Sequence, residues 1–182
     1  TIGGSVAMKA GFSDVCNLLL AIGAYVELEA AGLLSMEDFT QGDYRNDLVK
    51  YIYLTKECKS TFYKNYRLDS GDLPCANASL VVAEDGKTAR ICVGARPALA
   101  KSKDLSSEEW AKLGEAKNRD ELKEGFTSLI TDFNFASNVK ASAAYRRNLA
   151  IILLKDLYSQ WKESWETEDM IKLGLRVNGK AV

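Results

Sequence analysis

Two adjacent glycines stand ahead of the first apolar helix that the sequence predicts. The opening stretch reads TIGGSVAMKAGFSDVCNLL, and Asp14 directly precedes the apolar run. Glycines there let the backbone approach a ligand closely, and free amides near a helix N-terminus attract phosphate oxygens. A glycine pair is more commonly just a tight turn, so the residues alone leave both interpretations open.

The other residues offer little for acid–base or metal chemistry. Histidine is absent, which removes the usual general base and the usual zinc ligand. The cysteines are scattered singly, without the close pairs of a metal site, and are too sparse for a secreted disulfide scaffold; they are Cys16, Cys58, Cys75 and Cys92. We expect reduced thiols. A free-standing enzyme with a nucleophilic cysteine has little support, because no histidine can activate the thiol.

Composition places the chain among ordinary globular proteins. Its 182 residues are 47% hydrophobic and 27% charged, with a formal net charge of -1. Such a balance argues against a nucleic-acid partner, which requires an excess of Lys and Arg. The longest apolar stretches, VCNLLLAIGAYV and NLAIILL, are shorter than the roughly 20 residues that cross a bilayer. We therefore expect a cytoplasmic protein without a membrane partner.

The elements that must position the glycine pair are a short helix and several strands. Apolar residues recur at helical spacing after Asp14, the N-cap candidate, and the run stops at Gly23. AYVELEAAG predicts a strand and a turn, LSMEDFTQG predicts a helical turn capped by Ser35, and LVKYIYLTK predicts a second strand.

The second region predicts strands first and helices after them, an α+β fold. STFYKNY, ANASLVVAED and TARICVGARP are typical of strands, and EDGK predicts a hairpin between the last two. SSEEWAKLGEA, RDELKEGFTSLITDF and ASAAYRRNLAIILLKDLYSQWKESW predict helices that cover the sheet. We expect one apolar stripe on the last helix, formed by Tyr145, Leu149, Ile152, Leu153 and Leu157.

The final stretch departs from the helical pattern. MIKLGLRVNGKAV alternates between apolar and polar residues and then reaches Asn178-Gly179, a type I′ hairpin signal. These residues predict a strand followed by a turn.

Three segments carry a resemblance to a known family. TIGGSVAMKAGFSDVCNLLLAIGAYVEL resembles the second flavin-contacting segment in the FAD-binding subunits of molybdenum hydroxylases, the family of xanthine dehydrogenase and aerobic carbon monoxide dehydrogenase. YKNYRLDSGDLPCANASLVVAEDGKTARICVGARP is similar to the start of the C-terminal domain of those subunits, and SNVKASAAYRRNLAIILLKDLY is similar to its closing helix.

The resemblance implies three parts. Residues 1–56 are expected to be part of the second FAD-binding subdomain of a PCMH-type domain. Residues 57–163 are expected to form a flavoprotein C-terminal domain, a three-stranded antiparallel sheet covered by a helical bundle. Residues 164–182 resemble a linker and the first strand of a 2Fe-2S ferredoxin-like domain, so we expect an interior piece of a fusion whose isolated flavin site is incomplete.

The resemblance also implies site residues. The flavin pyrophosphate would lie against Thr1, Ile2, Gly3, Gly4 and Ser5. Asp14 would contact the ribose or pyrophosphate region, and Leu48 (or Val49) and Lys64 would approach the isoalloxazine ring. A core leucine and a solvated surface lysine are at least as good as interpretations of Leu48 and Lys64. The Tyr-Arg-Arg run at 145–147 is better explained by packing and solvation of a helix.

The implied function is electron transfer within a xanthine dehydrogenase-like oxidoreductase. A molybdopterin-binding large subunit would supply electrons through 2Fe-2S clusters, and FAD would pass them to NAD or another acceptor. The alternative is a non-catalytic docking module for the molybdenum and iron-sulfur subunits, with exposed aromatic residues around Tyr158, Trp161 and Trp165 as its contact surface. These tryptophans would otherwise simply close the core.

Overall fold

The chain folds as α+β with two antiparallel sheets, seven strands and six helices in the residues described by the structure. The structure is a computed structural model, and it describes residues 1–55, 60–96 and 98–177. The helices are α1 Ile2–Met8, α2 Asp14–Ala21, α3 Met36–Gln41, α4 Ser107–Gly114, α5 Arg119–Leu129 and α6 Ala143–Val177. The strands are β1 Tyr25–Leu28, β2 Gly32–Ser35, β3 Val49–Tyr53, β4 Ser60–Tyr66, β5 Ala76–Val82, β6 Ala89–Gly94 and β7 Lys101–Leu105.

The N-terminal part packs α1, α2 and α3 with a small sheet of order β2-β1-β3. The strands predicted at β1 and β3 and the helical turn capped by Ser35 are confirmed. The N-cap of α2 was predicted wrongly: the Ser13 hydroxyl accepts a hydrogen bond from the Cys16 amide, and Asp14 is the first helical residue. The tight turn at the glycine pair is also wrong, since both glycines lie inside α1.

The larger sheet has four strands in the order β4-β5-β6-β7, where the resemblance implied three. The three predicted strands and the β5–β6 hairpin are confirmed, with Gly86 at φ +69° in its turn. The sequence gives little sign of β7, because KSKDL is polar and Leu105 is its one buried residue. A strand at a sheet edge needs no alternation of apolar residues.

Helices α4, α5 and α6 cover one face of this sheet and enclose the main core. Leu149, Leu153 and Leu157 of the predicted stripe are buried, whereas Tyr145 and Ile152 are exposed. The buried face of α6 instead continues through Ala150 and Leu154, which lie closer to the same side of the helix.

The strand predicted after residue 170 is wrong, because α6 continues to Val177. The turn predicted at 178–179 lies outside the described residues. In the described part of the chain, no helix combines the length and apolar character needed to span a membrane.

Candidate functional site

The segment Thr1–Ser5 forms the beginning of α1 at the protein surface. The Thr1 hydroxyl accepts a hydrogen bond from the Gly4 amide at 3.1 Å, and the Ser5 amide donates to the Thr1 carbonyl at 3.0 Å. Within the described residues, the Ile2 and Gly3 amides have no acceptor, as is usual for the first turn of a helix. A Cβ atom on Gly3 would meet nothing within 4 Å, so the backbone here is open to close approach.

Helix α1 is tied to its surroundings by two side chains. The Cys16 thiol of α2 donates to the Ser5 carbonyl at 3.3 Å, and burial raises the pKa of this thiol. Lys9, in a left-handed conformation at the end of α1, donates to the Phe39 and Gly42 carbonyls, each at 2.7 Å. The position of the glycine segment therefore depends on the position of α2.

Asp14 anchors the first turn of α2 to the larger sheet. One carboxylate oxygen accepts hydrogen bonds from the Tyr63 hydroxyl and from Asn77 Nδ2, the latter at 3.1 Å. The other accepts from the Arg67 guanidinium, in an ion pair, and from Asn65 Nδ2 at 3.4 Å. A carboxylate offers about four acceptor positions, so the protein itself occupies them all.

The residues around Asp14 hold its carboxylate in one orientation. Arg67 also donates to the Asp72 carbonyl at 2.6 Å, which fixes the guanidinium. Burial, followed by the hydrogen bond to Asp14, raises the pKa of the Tyr63 hydroxyl well above its ordinary value. Tyr63 therefore stays a hydrogen-bond donor at neutral pH.

A fully buried amide network extends this contact beneath α2. Asn17 Nδ2 donates to Asn77 Oδ1 at 3.0 Å, and the Ser79 hydroxyl donates to Asn17 Oδ1. A Cβ atom on Gly94 would lie 2.3 Å from Asn77 Oδ1, so glycine is required there for the amide to fit. Helix α2 thus sits on a polar face of the sheet whose groups are paired with one another.

Comparison with protein families identifies the sheet and its helical cover. The model of the CO dehydrogenase flavoprotein C-terminal domain matches residues 61–161, more than half of the chain. The chain belongs to this family. A comparison with curated proteins gives no significant match.

The fold of this chain is similar to that of several solved structures. Quinoline 2-oxidoreductase from Pseudomonas putida 86 aligns with a TM-score of 0.71 and 20% identity, over 88% of this chain and 59% of its own. Reconstituted CO dehydrogenase from Oligotropha carboxidovorans aligns with a TM-score of 0.71 and 21% identity, over 87% of this chain and 59% of its own. Carbon monoxide dehydrogenase from Hydrogenophaga pseudoflava aligns with a TM-score of 0.67 and 22% identity, over 87% of this chain and 59% of its own. The chain therefore spans less than two thirds of each of these neighbours.

The fold does not bring all the predicted site residues together. Thr1–Ser5 lie at the beginning of α1, which packs against α2, whereas Asp14 begins α2 and contacts the polar face of the larger sheet. Lys64 projects from the opposite face of β4, and its ammonium group pairs with Asp156 of α6 at 2.6 Å. Leu48 is exposed and precedes β3. Contacts of Leu48, Val49 and Lys64 with a flavin remain predictions.

The Tyr-Arg-Arg run packs within the family domain, as expected, although Arg146 is buried rather than solvated. The Arg146 guanidinium donates to the carbonyls of Cys75 and Ala95 at 2.5 and 2.7 Å.

The aromatic residues near the end of the described side chains mainly close the core. Tyr158 is 6% exposed, and Trp161 packs against the same hydrophobic cluster. Trp165 is 37% exposed.

The cysteines and acidic residues form no metal site in the described part of the chain. Cys16, Cys75 and Cys92 are free and buried there, as expected for reduced thiols. Burial raises the pKa of the Cys92 thiol, which makes it a poor nucleophile at neutral pH.

The partners of Asp14 were not predicted from the sequence. Tyr63, Asn65 and Arg67 alternate along β4 and beyond it, so they share one face of the strand. This polar alternation was visible in YKNYR, but nothing in the sequence indicated which element would face it.

Proposed function

We propose that this chain is part of the FAD-binding electron-transfer component of a cytoplasmic molybdenum hydroxylase. Membership of the CO dehydrogenase flavoprotein C-terminal domain family supports an oxidoreductase of this kind. In the proposed enzyme, a molybdopterin-binding subunit and a 2Fe-2S domain supply the electrons, and NAD or another acceptor receives them.

One observation carries the proposal. Hydrogen bonds to Asp14 anchor α2 to the larger sheet, and α2 in turn holds α1, which begins with the glycine segment Thr1–Ser5. Because Arg67, Tyr63 and Asn77 all donate to Asp14, the first turn of α2 is anchored on the sheet. Cys16 of α2 in turn holds the Ser5 carbonyl of α1. The free Ile2 and Gly3 amides are thereby presented at a defined place.

These residues fit the pyrophosphate of FAD. The open space above Gly3 admits phosphate oxygens to the backbone, and the Thr1 and Ser5 hydroxyls can donate beside them. Asp14 is chiefly a positioning residue, and its carboxylate would accept a hydrogen bond from a ribose hydroxyl in place of the long one from Asn65.

The share of the chain in electron transfer is to bind and orient the cofactor. FAD, when bound, supplies the redox chemistry. The absence of histidine agrees with this division, because no residue here needs to act as a general base.

Flavin titration of paired glycine variants tests the proposal. The Cβ atom of Gly3→Val would lie in the open space above α1, where it meets nothing within 4 Å, so we expect the fold to survive and FAD affinity to fall about tenfold or more. Gly71→Val is the matched control, since a Cβ atom there also meets nothing within 4 Å. Equal FAD affinity in the wild type and in Gly3→Val, measured by flavin fluorescence, would refute the assignment of the segment.

A docking module is the second candidate function, and the small sheet favours it more than the tryptophans do. Tyr25, Tyr51 and Tyr53 project from its outer face and are 42 to 59% exposed, beside the exposed Leu33. Exposed aromatic clusters mark interaction surfaces. A docking module would carry no flavin yet still bind the molybdenum and iron-sulfur subunits, so flavin stoichiometry in the purified complex separates the two functions.

A further inference from the structure

A second recess lies in the helical layer, away from the polar face that holds Asp14. It has a volume of about 400 Å³, within the range of small-molecule pockets. The end of α4, the connection to α5, the first turn of α5 and the middle of α6 form its walls. The apolar part of its lining consists of Leu113, Ala116 and Leu122. We call this recess the α5 cleft.

The floor of the α5 cleft carries an unsatisfied hydroxyl. Tyr158 is 6% exposed and lines the cleft, and in the described part of the chain its oxygen has no hydrogen-bond partner. Among the described side chains, the fully enclosed atoms without partners are Arg96 Nε, Arg146 Nε and Trp161 Nε1. The Tyr158 oxygen is not one of these, so it keeps some accessible surface, and we take that surface to face the cleft.

Glycine leaves room above this hydroxyl. A Cβ atom on Gly114 would lie 3.8 Å from the Tyr158 oxygen, at ordinary contact distance. The ring itself is held by edge contacts with Trp110 and Phe126, at centroid distances of 5.3 and 6.1 Å. A rigid ring therefore offers a donor at the bottom of the cleft. Burial of an unpaired hydroxyl costs free energy that a ligand would recover.

The rim of the α5 cleft is predominantly cationic. Lys117, Arg119 and Lys162 line it, against the single carboxylate of Glu163. This balance differs from that of the whole chain, whose net charge is -1. A local excess of cations around a partly apolar recess attracts an anion.

We propose that the α5 cleft binds a small organic anion with a carboxylate or phosphate head and a compact apolar body. The head lies among Lys117, Arg119 and Lys162 and accepts a hydrogen bond from the Tyr158 hydroxyl. The body packs against Leu113, Ala116 and Leu122. This site is separate from the FAD segment, and it stands whether or not the chain binds FAD.

Titration of the full chain with model anions tests the proposal. Phenyl phosphate and benzoate probe the two head groups, and benzyl alcohol is the neutral control of similar shape. We expect both anions to shift the backbone amide resonances of residues 116–122 and to change the fluorescence of Trp110 and Trp161, whose rings pack against Tyr158. Binding of one anion and not the other would identify the head group. Benzyl alcohol binding as tightly as both anions would overturn the proposal.

Two variants and a control locate the contacts. Tyr158→Phe keeps the ring and its packing, and loss of the hydroxyl should weaken anion binding about tenfold. Lys117→Ala/Lys162→Ala should weaken it by at least as much, whereas Lys112→Ala/Lys123→Ala removes the same charge from exposed positions outside the cleft and should weaken it far less. Unchanged affinity in Tyr158→Phe, or equal losses in the two double variants, would overturn the proposal.

Discussion

The two faces of the larger sheet are sealed in different ways. On β5, Ala76, Ala78, Leu80 and Val82 pack against α4, α5 and α6, and this face is apolar. The alternate residues Asn77 and Ser79 face α2 and are hydrogen-bonded to Asn17 and Asp14. Every residue of β5 is buried, so both faces are covered.

The two faces of the sheet contribute differently to the stability of the fold and to the position of the helices that cover them. Apolar packing contributes free energy in proportion to the buried area and tolerates small shifts of the covering helices. Hydrogen bonds are directional, and a buried amide that loses its partner is destabilising. We infer that the apolar face mainly stabilises the fold, whereas the polar face fixes where α2 and the glycine segment lie.

The largest effect is expected on the apolar face. Leu154→Ala removes a fully buried side chain, and we expect the free energy of unfolding to fall by about 3 kcal/mol. Ile152→Ala, two residues away on the same helix but 52% exposed, should lose less than about 1 kcal/mol. Urea denaturation measures both, and equal losses would contradict the burial pattern of α6.

Gly94→Ala should break the polar face at its tightest point. The new Cβ atom must displace Asn77 and leave a buried amide unpaired, for which we expect a loss of about 2 kcal/mol. Gly71→Ala, in open space, is the control. A Gly94→Ala protein as stable as the wild type would show that the amide network can rearrange freely.

Alkaline pH should lower the free energy of unfolding through the buried thiol of Cys92 on the polar face. Burial raises the pKa of Cys92 above its ordinary value of 9.0, so the folded thiol stays neutral while the unfolded one ionises. The stability it contributes is complete below pH 9 and is lost as pH rises, by up to about 1.4 kcal/mol per pH unit. Cys92→Ala should show a shallower fall of unfolding free energy between neutral pH and about pH 10. An unchanged slope in urea denaturation would count against this cause.

The smallest effect is expected at Lys64. Its ion pair with Asp156 is nearly half exposed, so Lys64→Ala should change the free energy of unfolding by less than about 1 kcal/mol, and less still at high salt. Denaturation at two salt concentrations checks this. A loss as large as that of Gly94→Ala would mean that the two faces contribute alike.

The sequence predicts elements with strong local signals and misses those defined by tertiary contacts. The hairpin around Gly86 and the helix capped by Ser106 were predictable from their turn and cap residues. Strand β7 was not, because an edge strand with one buried residue lacks apolar alternation. The alternation in residues 171–177 predicted a strand, but α6 continues through them.

The candidate site was predictable only where its residues are neighbours in the sequence. Asp14 and the glycine segment stand out because they share a short stretch of sequence. Arg67 and Asn77 are 53 and 63 residues away from Asp14, and only the pairing of the sheet brings them to it. Lys64 shows the converse, since one step along β4 from Tyr63 places it on the opposite face.

The most direct test of the central claim is a map of backbone amide shifts while the wild-type chain is titrated with FAD. We predict that the largest shifts fall on the amides of Ile2, Gly3, Gly4 and Ser5, with smaller ones at Asp14, even where affinity is low. Shifts concentrated elsewhere, or none in those amides at saturating FAD, would contradict the claim that the polar face of the sheet positions this segment for the cofactor.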